Sequence, residues 1–405
     1  MTAPKLRFKE FDEDWAASRI DEIASVTSGG TPSRSISEYW DGNIPWVTTS
    51  LVDFNVIQTA EEFITQDGLK NSSAKLFPKN TILMAMYGQG ITRGKVAILG
   101  IEATTNQACC AIKLNNSFDT HFIFQNLMNR YEEIRDLSND GGQKNLSAGI
   151  IKEIEVVSPS KEEQTKIATF LSTVDEKISQ LSQKLHLLGQ YKQGMMQKLF
   201  SQQICFKADD GSEFGEWEER KLSEISQKAM YGMNAAATEY DGINKYLRIT
   251  DICEFSNSFK IDNLTSPNAE LDDKYKLQLG DLLFARTGAS VGKSYLYKKN
   301  DGITYFAGFL IKFSLNTNLV IPYFIFLQTL TKGFSQWVVT NSMRSGQPGI
   351  NAEEYSSYIF KVPCLEEQTK IANFLSAIDQ KIDVVSEQLE QAKLWKKGLL
   401  QQMFV

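Results

Sequence analysis

No apolar run in this sequence approaches the ~20 residues needed to cross a bilayer, and the opening segment, Met1 to Glu10, lacks the hydrophobic core of a signal peptide. The expectation is a soluble, cytoplasmic chain with no membrane association. Histidine is scarce: His121 and His186 stand apart, and Cys109, Cys110, Cys205, Cys253 and Cys364 show neither metal-ligand spacing nor a disulfide framework. No metal site is expected, and Cys109-Cys110 reads as two small hydrophobes in a buried strand. Neither a glycine-rich dinucleotide fingerprint nor an Asn-Pro-Pro-Tyr type segment of an amino-methyltransferase is present. Basic charge is not in excess either. The formal net charge is −6, which argues against a tight, unaided nucleic-acid binder. Residues 161–200 hold six basic and four acidic groups and residues 366–405 five and six, so these segments carry +1 and the rest of the chain −7. Any DNA binding must come from local basic clusters or from a partner that supplies phosphate contacts.

Two enzyme-like motifs fall short. Gly288-Ala289-Ser290-Val291-Gly292-Lys293-Ser294 has three residues between its outer glycines, where a phosphate-wrapping P-loop needs four. Glu219-Arg220-Lys221 resembles part of a nuclease centre, but its counterpart elsewhere in the chain is Ala17-Ser18-Arg19. The chain is expected to have no catalytic residue and no cofactor of its own.

What is present is a duplication. Glu162-Glu163-Gln164-Thr165-Lys166-Ile167-Ala168 recurs letter for letter as Glu366 to Ala372, and similarity continues to Phe200 and Phe404. Ile167, Leu171, Val174, Ile178, Leu181, Leu185 and Leu188 alternate spacings of four and three, the seam of a coiled coil. Ile371, Leu375, Ile378, Ile382, Val385, Leu389 and Ala392 repeat that seam. Proline is absent from both segments, and glycine appears only toward their far ends, at Gly189, Gly194 and Gly398. Two long helices are therefore expected, the second running back along the first. Each of ~39 residues would measure ~58 Å at ~1.5 Å per residue. The other reading is that each stripe docks on its own domain.

The repeat extends into the globular parts. Trp15, Ile20, Glu22 and Ile23 match Trp217, Leu222, Glu224 and Ile225; Ile82 to Ala85 matches Leu282 to Ala285; Ala108 to Lys113 matches Ala307 to Lys312; Phe122-Ile123-Phe124 matches Phe324-Ile325-Phe326; Gly142-Gln143 matches Gly346-Gln347. Short β-rich runs such as Ile44 to Thr49 and Lys95 to Leu99, with helical pattern near His121 to Leu137, predict an α+β architecture: two repeated, mixed, mostly β domains joined by two long antiparallel coiled-coil helices. The expected boundaries are a first domain over 1–160, a helix over 161–203, a second domain over 204–364 and a helix over 365–405.

Ser28-Gly29-Gly30-Thr31-Pro32, then Tyr39-Trp40-Asp41-Gly42-Asn43-Ile44-Pro45-Trp46-Val47, resembles the opening of a target recognition domain in type I restriction-modification specificity subunits. Asn106-Gln107-Ala108, the Gly142 to Ser147 loop and the Glu-Gln-x-Lys-Ile-Ala start of each helix resemble the same family, across the whole chain. The second domain departs from the opening pattern, with Tyr246-Leu247-Arg248-Ile249-Thr250 in place of the Ile-Pro-Trp-Val run, so it should read a different sequence. The resemblance implies a non-catalytic subunit whose two domains each read half of a bipartite, asymmetric site on double-stranded DNA. It also implies helices that space the domains and bind two modification (methyltransferase) subunits. Those partners carry S-adenosylmethionine and methylate adenine, and two restriction subunits add ATP- and Mg-dependent translocation and cleavage. A rod of ~58 Å spans at most ~17 base pairs of duplex. The reading of a different class is a protein-protein adaptor with two ligand-binding domains on a coiled-coil rod.

Base readout needs Arg, Lys, Asn, Gln, Ser or Thr on loops that reach a groove, and the repeat points to two polar loops per domain. In the first domain these supply Tyr87, Gln89, Thr92, Arg93 and Lys95, with Gln143, Lys144 and Asn145. In the second they supply Arg286, Thr287, Ser290 and Lys293, with Arg344, Ser345 and Gln347.

Overall fold

The computed structural model describes residues 3–88, 91–137, 145–254 and 256–405. The two long helices are present as Lys161–Phe200 and Leu365–Met403. The chain divides into two compact units, Met1–Gln183 with Ser386–Val405, and Lys184–Val385. Each unit thus holds a mixed domain, the opening of one long helix and the end of the other.

In the first unit a five-stranded sheet runs in the order Ala24–Ser28, Cys109–Leu114, Ile82–Ala85, Val96–Leu99, Val56–Ile57. All its pairings are antiparallel except the last. A second sheet joins Glu62–Ile64, Trp40–Val47, Ala103–Thr105 and Leu76–Phe77. Strand Ile82–Ala85 is apolar at every position because both its faces are covered. Ile82 and Met84 enter one core with Trp15, Phe122 and Leu171, whereas Leu83 and Ala85 enter another with Val47 and Leu99. Alternation with period two puts successive side chains on opposite faces.

The second unit repeats this plan. Met230–Tyr231, Leu310–Ser314, Asp281–Ala285 and Ser294–Leu296 form an antiparallel sheet. Leu282 and Phe284 face a core with Phe324 and Leu375; Leu283 and Ala285 face another with Leu247 and Phe306. In both units the strand preceding the long helix returns to pair with the first strand of the domain, Glu155–Ser158 with Ala16–Arg19 and Ile359–Val362 with Glu218–Lys221. Cys109 and Cys110 are buried in their strand as expected, and burial pushes both thiols up to about 12. Among the described residues no helix is long and apolar enough to cross a membrane.

The repeated Glu-Glu-Gln has a structural cause. Gln164 Oε1 accepts the Asp119 N–H at 2.9 Å while its Nε2 donates to Pro159 O at 2.9 Å. Gln368 does the same with Ile321 N–H at 2.8 Å and Pro363 O at 2.8 Å. Each buried amide ties its helix to a neighbouring loop, satisfying backbone groups that burial would otherwise leave unpaired.

The seam residues serve two surfaces. Ile167, Leu171 and Val174 belong to the first domain's core, together with Leu399, Leu400, Met403 and Phe404 from the end of the second helix. Ile371, Leu375 and Ile378 belong to the second domain's core, together with Met196 and Leu199 from the end of the first helix. Both expected arrangements, helix on helix and stripe on domain, hold in the opening turns. Two equivalent ion pairs accompany them, Lys396–Asp175 in the first unit and Lys192–Asp379 in the second, each at 2.6 Å. Because the opening half of each helix meets the closing half of the other, the two run in opposite directions. Farther along, Leu181, Val385 and Leu389 are buried, whereas Ile178, Leu185, Leu188, Ile382 and Ala392 are half-buried.

One expected correspondence is displaced by two residues. The ladders set Cys109 opposite Ala85 and Leu310 opposite Ala285, so Cys109 corresponds to Leu310 and Ala108 to Phe309, not to Ala307. A shift of two keeps every side chain on its face, so the apolar pattern reads the same in both alignments.

Candidate nucleic-acid interface

In each domain, described residues of the two polar loops meet at the end of the central strand. In the first, the Leu146 N–H donates to Met86 O at 3.0 Å, placing Asn145 beside the loop that follows Ala85. In the second, the Ile350 N–H donates to Arg286 O at 2.9 Å and the Gly288 N–H to Pro348 O at 3.0 Å, placing Gln347 against Gly288. A left-handed glycine closes each strand-loop turn, Gly94 at φ 84° and Gly292 at φ 85°. Their N–H groups donate to Ala85 O and Ala285 O, so Thr92 corresponds to Ser290 and Lys95 to Lys293.

The charged candidates differ in how free they are. Lys95 is paired with Asp53 at 2.5 Å and its counterpart Lys293 with Glu254 at 3.6 Å, both lysines being largely covered. Lys293 also donates to Ile252 O. The Arg93 Nε donates to Arg135 O at 3.1 Å. Arg344 is exposed and paired with Glu354 at 2.5 Å. Arg286 stands apart: its guanidinium lies over the rings of Tyr231 and Phe309, and among the described residues it takes part in no ion pair. Tyr87, Ser345 and Gln347 are exposed; Thr92, Asn145, Thr287 and Ser290 are half-buried. Gln89, Gln143 and Lys144 lie outside the described residues.

Three groups here were not anticipated. Tyr231, on strand Met230–Tyr231, and Phe309, in the turn just before strand Leu310–Ser314, lie beside Arg286 although 55 and 23 residues away from it in the sequence. In the first domain, Arg34 lies 3.7 Å from the Trp40 ring centre and is held by a two-point contact with Glu62 that keeps the carboxyl ionised below its usual range. The available signal was the cluster of exposed aromatics beside arginine, which becomes visible only once the strands are in register.

Family comparison agrees with the repeat. The type I restriction modification DNA specificity domain family matches residues 12–188 and again residues 215–394. Among similar proteins, the type I restriction enzyme MjaIX specificity subunit of Methanocaldococcus jannaschii is 28% identical over 305 residues, 70% of each chain. The MjaVIII specificity subunit of the same organism is 23% identical over 415 residues, covering 96% of this chain and 91% of that protein. Among solved structures, the type I restriction-modification system S subunit from M. genitalium superposes with a TM-score of 0.63 at 20% identity, covering 100% of this chain and 99% of that one. A chain from a study of complex assembly and conformational transition of the type I R-M system gives 0.57 at 14% identity, covering 97% of this chain and 98% of that one. Those two likenesses concern the fold alone. With both globular repeats and the opening of each long helix matched by one family, the chain belongs to the type I restriction modification DNA specificity domain family.

Proposed function

We propose that this chain is the DNA sequence-specificity subunit of a type I restriction-modification complex. Each domain reads one half of a bipartite, asymmetric site, and the long helices set the spacing and bind two modification subunits. The observation that carries this reading is the double family match, one per domain, on loops whose residues differ between the copies. Different residues on a shared scaffold are what two unlike half-sites require. The subunit itself performs no bond chemistry; S-adenosylmethionine, ATP and Mg belong to the modification and restriction subunits. Phosphate contacts from those partners offset the acidic balance of this chain. The setting is the cytoplasm, where the genomic DNA is.

Co-expression with a cognate modification subunit, followed by genome-wide mapping of N6-methyladenine, tests the proposal. A new motif of two short defined halves around an unspecified gap is expected. A stable complex that adds no motif would favour the adaptor reading instead.

Within that framework Arg286→Ala is expected to relax one position of the half-site read by the second domain, at ~1–3 kcal/mol for a lost two-point base contact. Methylation rates on duplexes carrying single-base changes check this. An unaltered site preference would remove Arg286 from the reading surface.

A further inference from the structure

The surroundings of Arg286 carry an inference that rests on the DNA-reading function just proposed and adds two residues to it. We propose that Tyr231 and Phe309 are positioning residues that hold the Arg286 guanidinium for the edge of a guanine in the second half-site.

Arg286 is the residue directly after strand Asp281–Ala285, and its backbone is fixed from both sides. Its N–H donates to Phe309 O at 3.0 Å and its carbonyl accepts the Ile350 N–H at 2.9 Å. The side chain then reaches both rings, with the guanidinium carbon 5.1 Å from the centre of Tyr231 and 5.9 Å from that of Phe309. Tyr231 is itself held, its hydroxyl accepting the Ala352 N–H at 3.2 Å.

This arrangement is a poor one for stability alone. Arg34, Arg248 and Arg344 each face a carboxylate, but among the described residues Arg286 has neither a carboxylate partner nor an acceptor for its buried Nε. A guanidinium with no carboxylate partner keeps hydrogen-bonding capacity for an acceptor that a ligand brings. The flanking rings are also exposed, Phe309 at 56% and Tyr231 at 41%, so they are open to a ligand.

The fold does not require these residues either. In the first domain the Met86 N–H donates to Ala108 O as Arg286 donates to Phe309 O, and Ser28 faces Cys110 as Tyr231 faces Ile311. Met86, Ala108 and Ser28 therefore occupy the three positions in the other copy. The same scaffold closes with an apolar and two small residues, so the clamp belongs to what the second domain binds.

Guanine is favoured over phosphate because the fork is held rigid. Arginine bonds guanine O6 and N7 through two parallel N–H groups, a contact that depends on orientation. A phosphate contact is blind to sequence and does not need a fixed plane.

The test uses the full chain in complex with its modification subunit. Once methylation mapping has defined the motif, rates are measured on duplexes carrying that site and each single-base change, for the wild type, Arg286→Lys, Phe309→Leu, Phe309→Tyr and Tyr231→Leu. Arg286→Lys, Phe309→Leu and Tyr231→Leu are expected to lose discrimination at one and the same G·C pair of one half-site, by ~10-fold or more, with the other half-site read normally. Phe309→Tyr, which keeps a ring, is expected to retain it. Phe309→Leu with an intact motif would overturn the clamp alone. Weakening spread evenly over all duplexes, with a shallower salt dependence, would assign Arg286 to a phosphate and overturn the guanine contact. A wild-type complex with no motif at all would overturn the DNA-reading function and the clamp together.

Discussion

Arg7→Ala is expected to destabilise the first unit by ~3–5 kcal/mol, because it strands a buried carboxylate. Glu163 is 1% exposed and receives two charge-assisted hydrogen bonds from Arg7, Nε at 2.8 Å and Nη2 at 2.7 Å. Arg7 is anchored in turn by a 2.6 Å bond to Glu13 O. A two-point contact of this kind matches the planar guanidinium fork, so Arg7→Lys should recover only part of the loss. The double variant with Glu163→Gln should be milder than Arg7→Ala alone, since no charge is left buried. Denaturant unfolding followed on the first unit reads these differences. A loss below ~1 kcal/mol would place the pair among solvent-screened surface bridges and contradict its burial.

The second copy solves the same problem differently. Glu367 is also buried, but its hydrogen-bond partner is the Trp217 indole N–H at 3.1 Å rather than an arginine. Burial holds its carboxyl above the usual range, with the indole bond opposing that shift. The folded state therefore keeps its proton to higher pH than the unfolded chain. The associated stability is full below the ordinary carboxyl range and is lost as pH rises through the raised folded value. Glu367→Gln should remove this fall from the second unit's stability profile between acidic and neutral pH. An unchanged profile would mean that Glu367 is ionised in the fold without penalty.

Leu375→Ala is expected to cost the second unit ~2–5 kcal/mol, the range for a buried leucine truncated inside a packed core. Leu375 is fully buried, in a core shared by the opening of its own helix, the domain's aromatic residues and the end of the other helix. Little of that environment can collapse, because Phe324, Phe334 and Phe360 are already interlocked with their neighbours. Leu171→Ala, at the equivalent place, should lower the first unit instead. In the assembled complex each variant is expected to impair one half-site before the other. Equal loss in both units from either change would show that the two cores unfold as one and would refute their separate construction.

The sequence by itself determined the duplication, the two uninterrupted helices and the pair of polar loops in each domain. These are local signals: a heptad seam needs only its own spacing, and loop residues mark themselves by glycine and polarity. It also carried the family resemblance, through motifs that are continuous in the chain. The tertiary structure decided which strand faces which. The two-residue displacement that makes Phe309, rather than Ala307, the counterpart of Ala108 cannot be seen in a period-two apolar pattern, because both alignments bury the same faces. It likewise decided that Lys95 and Lys293 are committed to carboxylates while Arg286 is left to two aromatic rings. Partners so distant along the chain meet only when sheet register fixes them, so which charge is left without a carboxylate partner among the described residues is a property of the fold.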